Sequence, residues 1–135
     1  MNYPIEEIEG IGPTFGEKLK AAGVQNTADL LKTCCNPSGR KALAEKSGIT
    51  YDHLLKWANR ADLMRVNGVG KQFSELLENA GVDTVKELGT RRADNLTAKM
   101  TEINTAKKLA KVSPNQDQVQ GWIDQAKTMD AIITH

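Results

Sequence analysis

The amino-acid sequence predicts an all-α chain of two helical repeats that share a central helix. Three observations carry that expectation. The stretch from Ile8 to Val24 recurs from Val66 to Val82, at a constant offset of 58 residues and without a gap. Apolar residues in and after each copy return at helical spacing. Glycines and capping residues stand where such helices should end and begin.

Residues 4–9 are expected to form a short first helix, with Pro4 tolerated at its start. Gly10, Ile11 and Gly12 then turn the chain into a helix over about 13–22, whose apolar positions are Phe15, Leu19 and Ala22. Gly23 suits the left-handed residue that ends a helix. Asn26 or Thr27 caps a short helix through Leu30 and Leu31, and Asn36-Pro37-Ser38-Gly39 reads as a turn. A helix over about 39–47 follows and closes at Gly48. Thr50 caps a longer one that runs to about 65, with Leu54, Ala58, Ala61 and Met64 or Arg65 along one stripe and Trp57 beside it. It leads directly into Val66, so one helix ends the first repeat, residues 1–65, and opens the second, residues 66–135.

The second repeat follows the same plan. Phe73, Leu77 and Ala80 form the stripe, Gly81 the stop, and Thr84-Val85-Lys86-Glu87 has the form of a capping box. Ser113-Pro114-Asn115-Gln116 suggests another box before a last helix from about 114. Trp122 and Ala126 match Trp57 and Ala61 at an offset of 65. Leu88 matches Leu31 at 57, whereas Leu109 matches Leu43 at 66, so nine residues are inserted between. The insertion is expected to lengthen one helix to about 94–110, with Leu96, Met100, Ile103 and Leu109 on one face.

The duplicated glycines have a chemical reading. Gly10 and Gly12, like Gly68 and Gly70, can take backbone angles closed to other residues, while Ile11 or Val69 between them points inward. The helix that follows begins with amide N–H groups that have no partner within the helix, and these favour an anion. A second glycine without a side chain lets a phosphate approach the backbone.

On these residues (Ile5, Ile8, Gly10, Ile11, Gly12 and Leu19, then Leu63, Val66, Gly68, Val69, Gly70 and Leu77) the sequence resembles the helix-hairpin-helix family. The resemblance implies a SAM-like helical fold and binding of the sugar-phosphate backbone of DNA through hairpin amides, without sequence readout. The small residue usual on the second helix is Gly16 or Ser74, and the basic residue past the hairpin is Lys71. In the first copy Pro13-Thr14 stands instead, which keeps the helix start and loses a phosphate ligand. Over nearly its whole length the chain also resembles a family of small bacterial proteins of unknown function. That likeness lies in Ile8–Leu19, Trp57 to Gly70, Ala80–Leu88 and Trp122–Ala126, and it implies no established activity.

Composition limits the function. Charged residues make up 26% and apolar residues 39%, which fits a globular chain. No apolar run approaches the roughly 20 residues of a membrane span, and the N-terminus lacks a signal-peptide pattern; a cytoplasmic location is expected. A net charge of +1, evenly spread, is small for a nucleic-acid module. Cys34 and Cys35 are neighbours and complete no zinc site; two reduced thiols are expected. His53 is the sole internal histidine, and no nucleophile, base and orienter suggest themselves. Neither catalysis, a cofactor, a metal nor a small-molecule substrate is expected. Trp57 and Trp122 are expected in the core rather than as stacking platforms.

Two functions stay open. One is a non-enzymatic, sequence-independent module for double-stranded DNA. Its candidate phosphate-binding residues are Gly10, Ile11, Gly12, Thr14, Gly68, Val69, Gly70 and Lys71, joined by Lys41 and Lys107, which share a repeat position at offset 66. Arg40, Arg91, Arg92, Lys99, Lys108 and Lys111 extend the basic set; lysine-rich helices are also simply soluble ones. The other function is a protein-interaction scaffold in which the hairpins only join packed helices.

Overall fold

The computed structural model describes residues 2–135. Among them eight α-helices follow a three-residue 3-10 turn, Ile5–Glu7: α1 Pro13–Ala21, α2 Thr27–Cys34, α3 Pro37–Ser47, α4 Tyr51–Leu63, α5 Lys71–Asn79, α6 Val85–Leu88, α7 Ala93–Lys107 and α8 Gln116–Thr128. The fold is all-α, as expected, with only an isolated bridge between Pro4 and Asn26 besides. No helix among the described residues is long and apolar enough to cross a membrane.

Local chemistry explains most boundaries. Asn26, Thr50 and Asn115 each accept the amide three residues on, at Asp29, His53 and Gln118, and so satisfy an otherwise unpaired helix donor. Gly23 and Gly81, at φ +89° and +90°, end α1 and α5. Val24 and Val82 then donate back to Leu19 and Leu77 at 2.8 and 2.9 Å, which closes the last carbonyls.

Five local expectations are corrected. The first helix is reduced to the 3-10 turn, because the Ile5 amide donates across to Gln25 O rather than along the chain. Asn36–Gly39 is no turn but the start of α3. Asn36 caps it, and Gly39 leaves room for Thr33 O, which lies 2.0 Å from where a Cβ would stand. In the expected Thr84 box, Glu87 turns to the Asp83 amide instead, at 3.4 Å. The box before the last helix is Asn115 with Gln118, not Ser113 with Gln116. Finally, α7 stops at Lys107: Lys108 turns left-handed at φ 54°, and Asn104 Oδ1 accepts the Ala110 amide at 2.8 Å.

Two apolar clusters fill the interior. One runs from Ile5 to Met64 and the other from Leu63 to Ala126, so they meet at the end of α4. Burying this apolar surface, at about 25 cal/mol per Å², drives the packing. The segment after α8 returns to the first cluster, where Ile133 is buried. There the Thr134 amide donates to Cys35 O at 2.7 Å.

Arg40 secures that return. Expected among surface bases, it is wholly buried: its guanidinium donates to Cys34 O at 2.9 Å, Tyr51 Oη at 3.1 Å and Thr134 O at 2.7 Å. Asp62 is likewise interior, taking the Val85 amide at 2.9 Å and Arg65 at 2.7 Å. A buried charge persists only when paired in this way.

Candidate nucleic-acid interface

Each hairpin is built by the same bonds. Ile11 donates to Ile8 O and Val69 to Val66 O, both at 3.1 Å, and both side chains are buried. Gly10 and Gly68 hold φ of +96° and +95°, a conformation that side chains oppose. Each also lies against a tryptophan. A Cβ on Gly10 would meet Trp57 Nε1 at 3.3 Å, and one on Gly68 would meet Trp122 Nε1 at 3.0 Å. The paired tryptophans are thus core residues with a definite task, which is to back the first glycine of each turn. Phe15 packs on Trp57, and Phe73 on Trp122, with ring centres 5.0 and 5.1 Å apart.

The second glycine differs. Gly12 and Gly70 are the N-caps of α1 and α5, in extended conformation, and nothing lies within 4 Å of a Cβ built on either. The first amides of α5, on Lys71, Gln72 and Phe73, find no backbone acceptor, as helix geometry requires. At α1 Pro13 removes one of these donors, which leaves those of Thr14 and Phe15. Thr14 is exposed at this rim. The second hairpin is therefore the richer anion cradle.

Lys71 connects the two hairpins. Its Nζ stands 3.6 Å from Glu9 Oε2, both side chains half exposed. Since Glu9 precedes Gly10 and Lys71 follows Gly70, the ion pair marks both turns as lying on one edge. Arg60 fastens that edge from below: it donates to Glu9 O and pairs with Glu78 at 2.7 Å. Burial first, and then the Glu9 carboxylate, push the Glu75 carboxyl above its ordinary range. Local charge on the edge is accordingly mixed.

The outlying lysines divide. Lys107 reaches Asn79 Oδ1 at 2.8 Å, at the far end of α5 from Gly70, so it stands apart from the hairpin. Lys41 is exposed on α3, with no hydrogen bond or ion pair among the described residues. Arg91 and Arg92 are occupied by Glu87 and Asp94. Lys108 and Lys111 line a cavity of about 560 Å³ together with Gln72, whose Oε1 accepts the Lys111 amide at 3.3 Å. They flank the second hairpin, a role that sequence spacing did not single out. The sole signal was that both belong to the basic set that extends the candidate residues.

A profile of the family described as Domain of unknown function (DUF4332) matches residues 9–129. The DNA polymerase IV proteins of Francisella tularensis subsp. holarctica strains FTNF002-00 / FTA, OSU18 and LVS are each 30% identical over 107 residues, which is 75% of this chain. The chain spans 29% of the length of these curated relatives. No solved structure matches it.

Proposed function

We propose, for a chain that belongs to the family described as Domain of unknown function (DUF4332), a non-enzymatic module that holds double-stranded DNA by its sugar-phosphate backbone. The observation that carries this proposal is the pair of unobstructed glycine N-caps, Gly12 and Gly70, whose turns are close enough for Glu9 and Lys71 to meet. A phosphate would sit on the amides of Lys71 to Phe73, with the Lys71 ammonium beside it and Lys108 and Lys111 at the rim. The Gly12 turn, without a lysine, would take a second phosphate more weakly. Nothing on this edge reaches for base edges, so binding would be blind to sequence. Similarity to part of a DNA polymerase supports the same partner.

Two hairpins neutralise about two to four phosphates, which implies a salt slope near −2 to −4 and dissociation constants of ~10⁻⁶ to 10⁻⁴ M. Fluorescence anisotropy on a labelled duplex a few helical turns long, at two salt concentrations, measures both quantities. The variant Gly70→Glu/Lys71→Glu places carboxylates in the cradle without touching either core. It is expected to stay helical and lose binding. Unchanged binding by this folded variant would sink the proposal.

A second function has its own observation. A cavity of about 450 Å³, lined by Thr27, Leu31, Cys35 and Ile132 among others, opens between α2 and the returning C-terminal segment. An apolar hollow of this kind favours a protein partner. If duplex DNA fails to bind even at low salt while a stoichiometric protein complex forms, the scaffold role replaces the first.

A further inference from the structure

The hollow of about 450 Å³ beside α2 joins an apolar floor to a cationic rim. Ala28, Leu31, Cys35 and Ile132 form the floor, and Lys32 and Arg65 the rim. No carboxylate lines it among the described residues. Arg65 is held by Asp62 at 2.7 Å and by Asp130 O at 3.0 Å. Lys32 is exposed, and its ammonium has no ion pair or hydrogen bond among the described residues.

The hollow is preformed. Ile132 is fixed on both sides, by the bond from Arg65 to Asp130 O and by the Thr134 amide, which donates to Cys35 O at 2.7 Å. Arg40 holds Thr134 O from within at 2.7 Å.

The two repeats differ at this face. At the offset of 57 that matches Leu31 with Leu88, Ala28 corresponds to Val85 and Lys32 to Gly89. Val85 is wholly buried. A Cβ on Gly89 would meet the α8 backbone, at 3.6 Å from Ala126 C and 3.5 Å from Lys127 N. The second repeat thus covers this face of α6 with its own helix, whereas the first leaves Ala28 and Lys32 exposed. The uncovered face and the hollow coincide.

Size and charge select the occupant. A globular partner's interface takes roughly 20–30 residues a side, far more than line this hollow. One or two aliphatic side chains on a linear segment suit its volume. The unpaired ammonium at the rim favours a carboxylate beside them and opposes a base.

We propose that the hollow binds a short linear segment of a protein partner. Its aliphatic side chains enter between α2 and Ile132, and a neighbouring carboxylate meets Lys32. The site rests on the protein-partner function given above and uses none of the hairpin residues.

The test follows alkylation of Cys35 in the full chain by mass spectrometry, with and without a capped tetrapeptide of two leucines between two aspartates. A counterpart with lysines in place of the aspartates, and octanoate, serve for comparison. The acidic peptide is expected to slow alkylation, with a dissociation constant about fivefold lower than that of the basic one. Lys32→Glu should cancel or reverse that preference. Ala28→Phe sets a ring over the floor from an exposed position, so it should stay folded by circular dichroism and lose the protection. No protection by the acidic peptide would overturn the proposal, as would equal protection by both peptides or undiminished protection in Ala28→Phe. Protection by octanoate alone would overturn it as well, and would make the hollow a site for a small amphiphile. A stoichiometric protein complex that persists unweakened in Ala28→Phe would keep the protein-partner function while this site falls.

Discussion

Replacing Gly68 by alanine separates the two roles given to the hairpin glycines. At φ +95° an L-residue costs about 1–2 kcal/mol relative to glycine. The new Cβ would also lie 3.0 Å from Trp122 Nε1. Trp122 is buried among the second cluster, so it can yield only by disturbing its neighbours, for about 1–3 kcal/mol more. Together these give a loss of about 2–5 kcal/mol. At roughly 4 °C per kcal/mol for a chain of this size, melting should fall by about 8–20 °C. Gly70→Ala meets neither obstacle, because its backbone is extended and the space is open. Alanine is a poor N-cap but restricts the unfolded chain, so the net change should stay within about 1 kcal/mol. Thermal melting followed by circular dichroism, with tryptophan fluorescence as a second probe, measures both variants. Gly10→Ala should fall between them, as its tryptophan stands slightly farther away, at 3.3 Å. The reasoning fails if Gly68→Ala melts with the parent, or if Gly70→Ala loses as much as Gly68→Ala.

Two further expectations concern the tie between the C-terminal segment and the first cluster. Arg40→Met keeps the stem but leaves Cys34 O and Thr134 O without their donor; a loss of about 2–4 kcal/mol is expected in urea denaturation, with faster hydrogen exchange at the Thr134 amide. An unchanged midpoint and a still-protected Thr134 amide would show that the guanidinium is dispensable. Burial pushes the Cys34 thiol up to about 12, partly opposed by Arg40. Thiolate, the reactive form, is therefore nearly absent from Cys34 at neutral pH and increases only as pH climbs towards 12. Mass spectrometry after brief alkylation of the native protein should find label on half-buried Cys35, and on Cys34 only after denaturant. Equal labelling of both at neutral pH would contradict that burial.

Helices and turns were legible in the residue order because their causes are local, whereas the backing of Gly10 by Trp57 and of Gly68 by Trp122 appeared only in the fold. A glycine at positive φ, an asparagine capping three residues ahead and an apolar stripe act over one or two turns of chain. For this reason the repeated spacing located α1 within a residue, placed the stop of α5 at Gly81, and matched Trp57 with Trp122. Errors occurred where a local signal had two outcomes. Asn36-Pro37-Ser38-Gly39 suits a turn or a helix start equally, and here Asn36 Oδ1 takes the Gly39 amide at 2.7 Å as the cap of a helix. Charge proved least legible. Arg40 and Lys41 are adjacent and alike in sequence, yet one is sealed inside by a carbonyl 94 residues away and the other is exposed. Lys71 meets Glu9 only because the two hairpins come to one edge, and Lys107 leaves that edge for Asn79. Residue order thus settled where the chain turns and which faces are apolar, since those depend on near neighbours. Tertiary packing alone decided which charges face a ligand, because burial and pairing are set by groups remote along the chain.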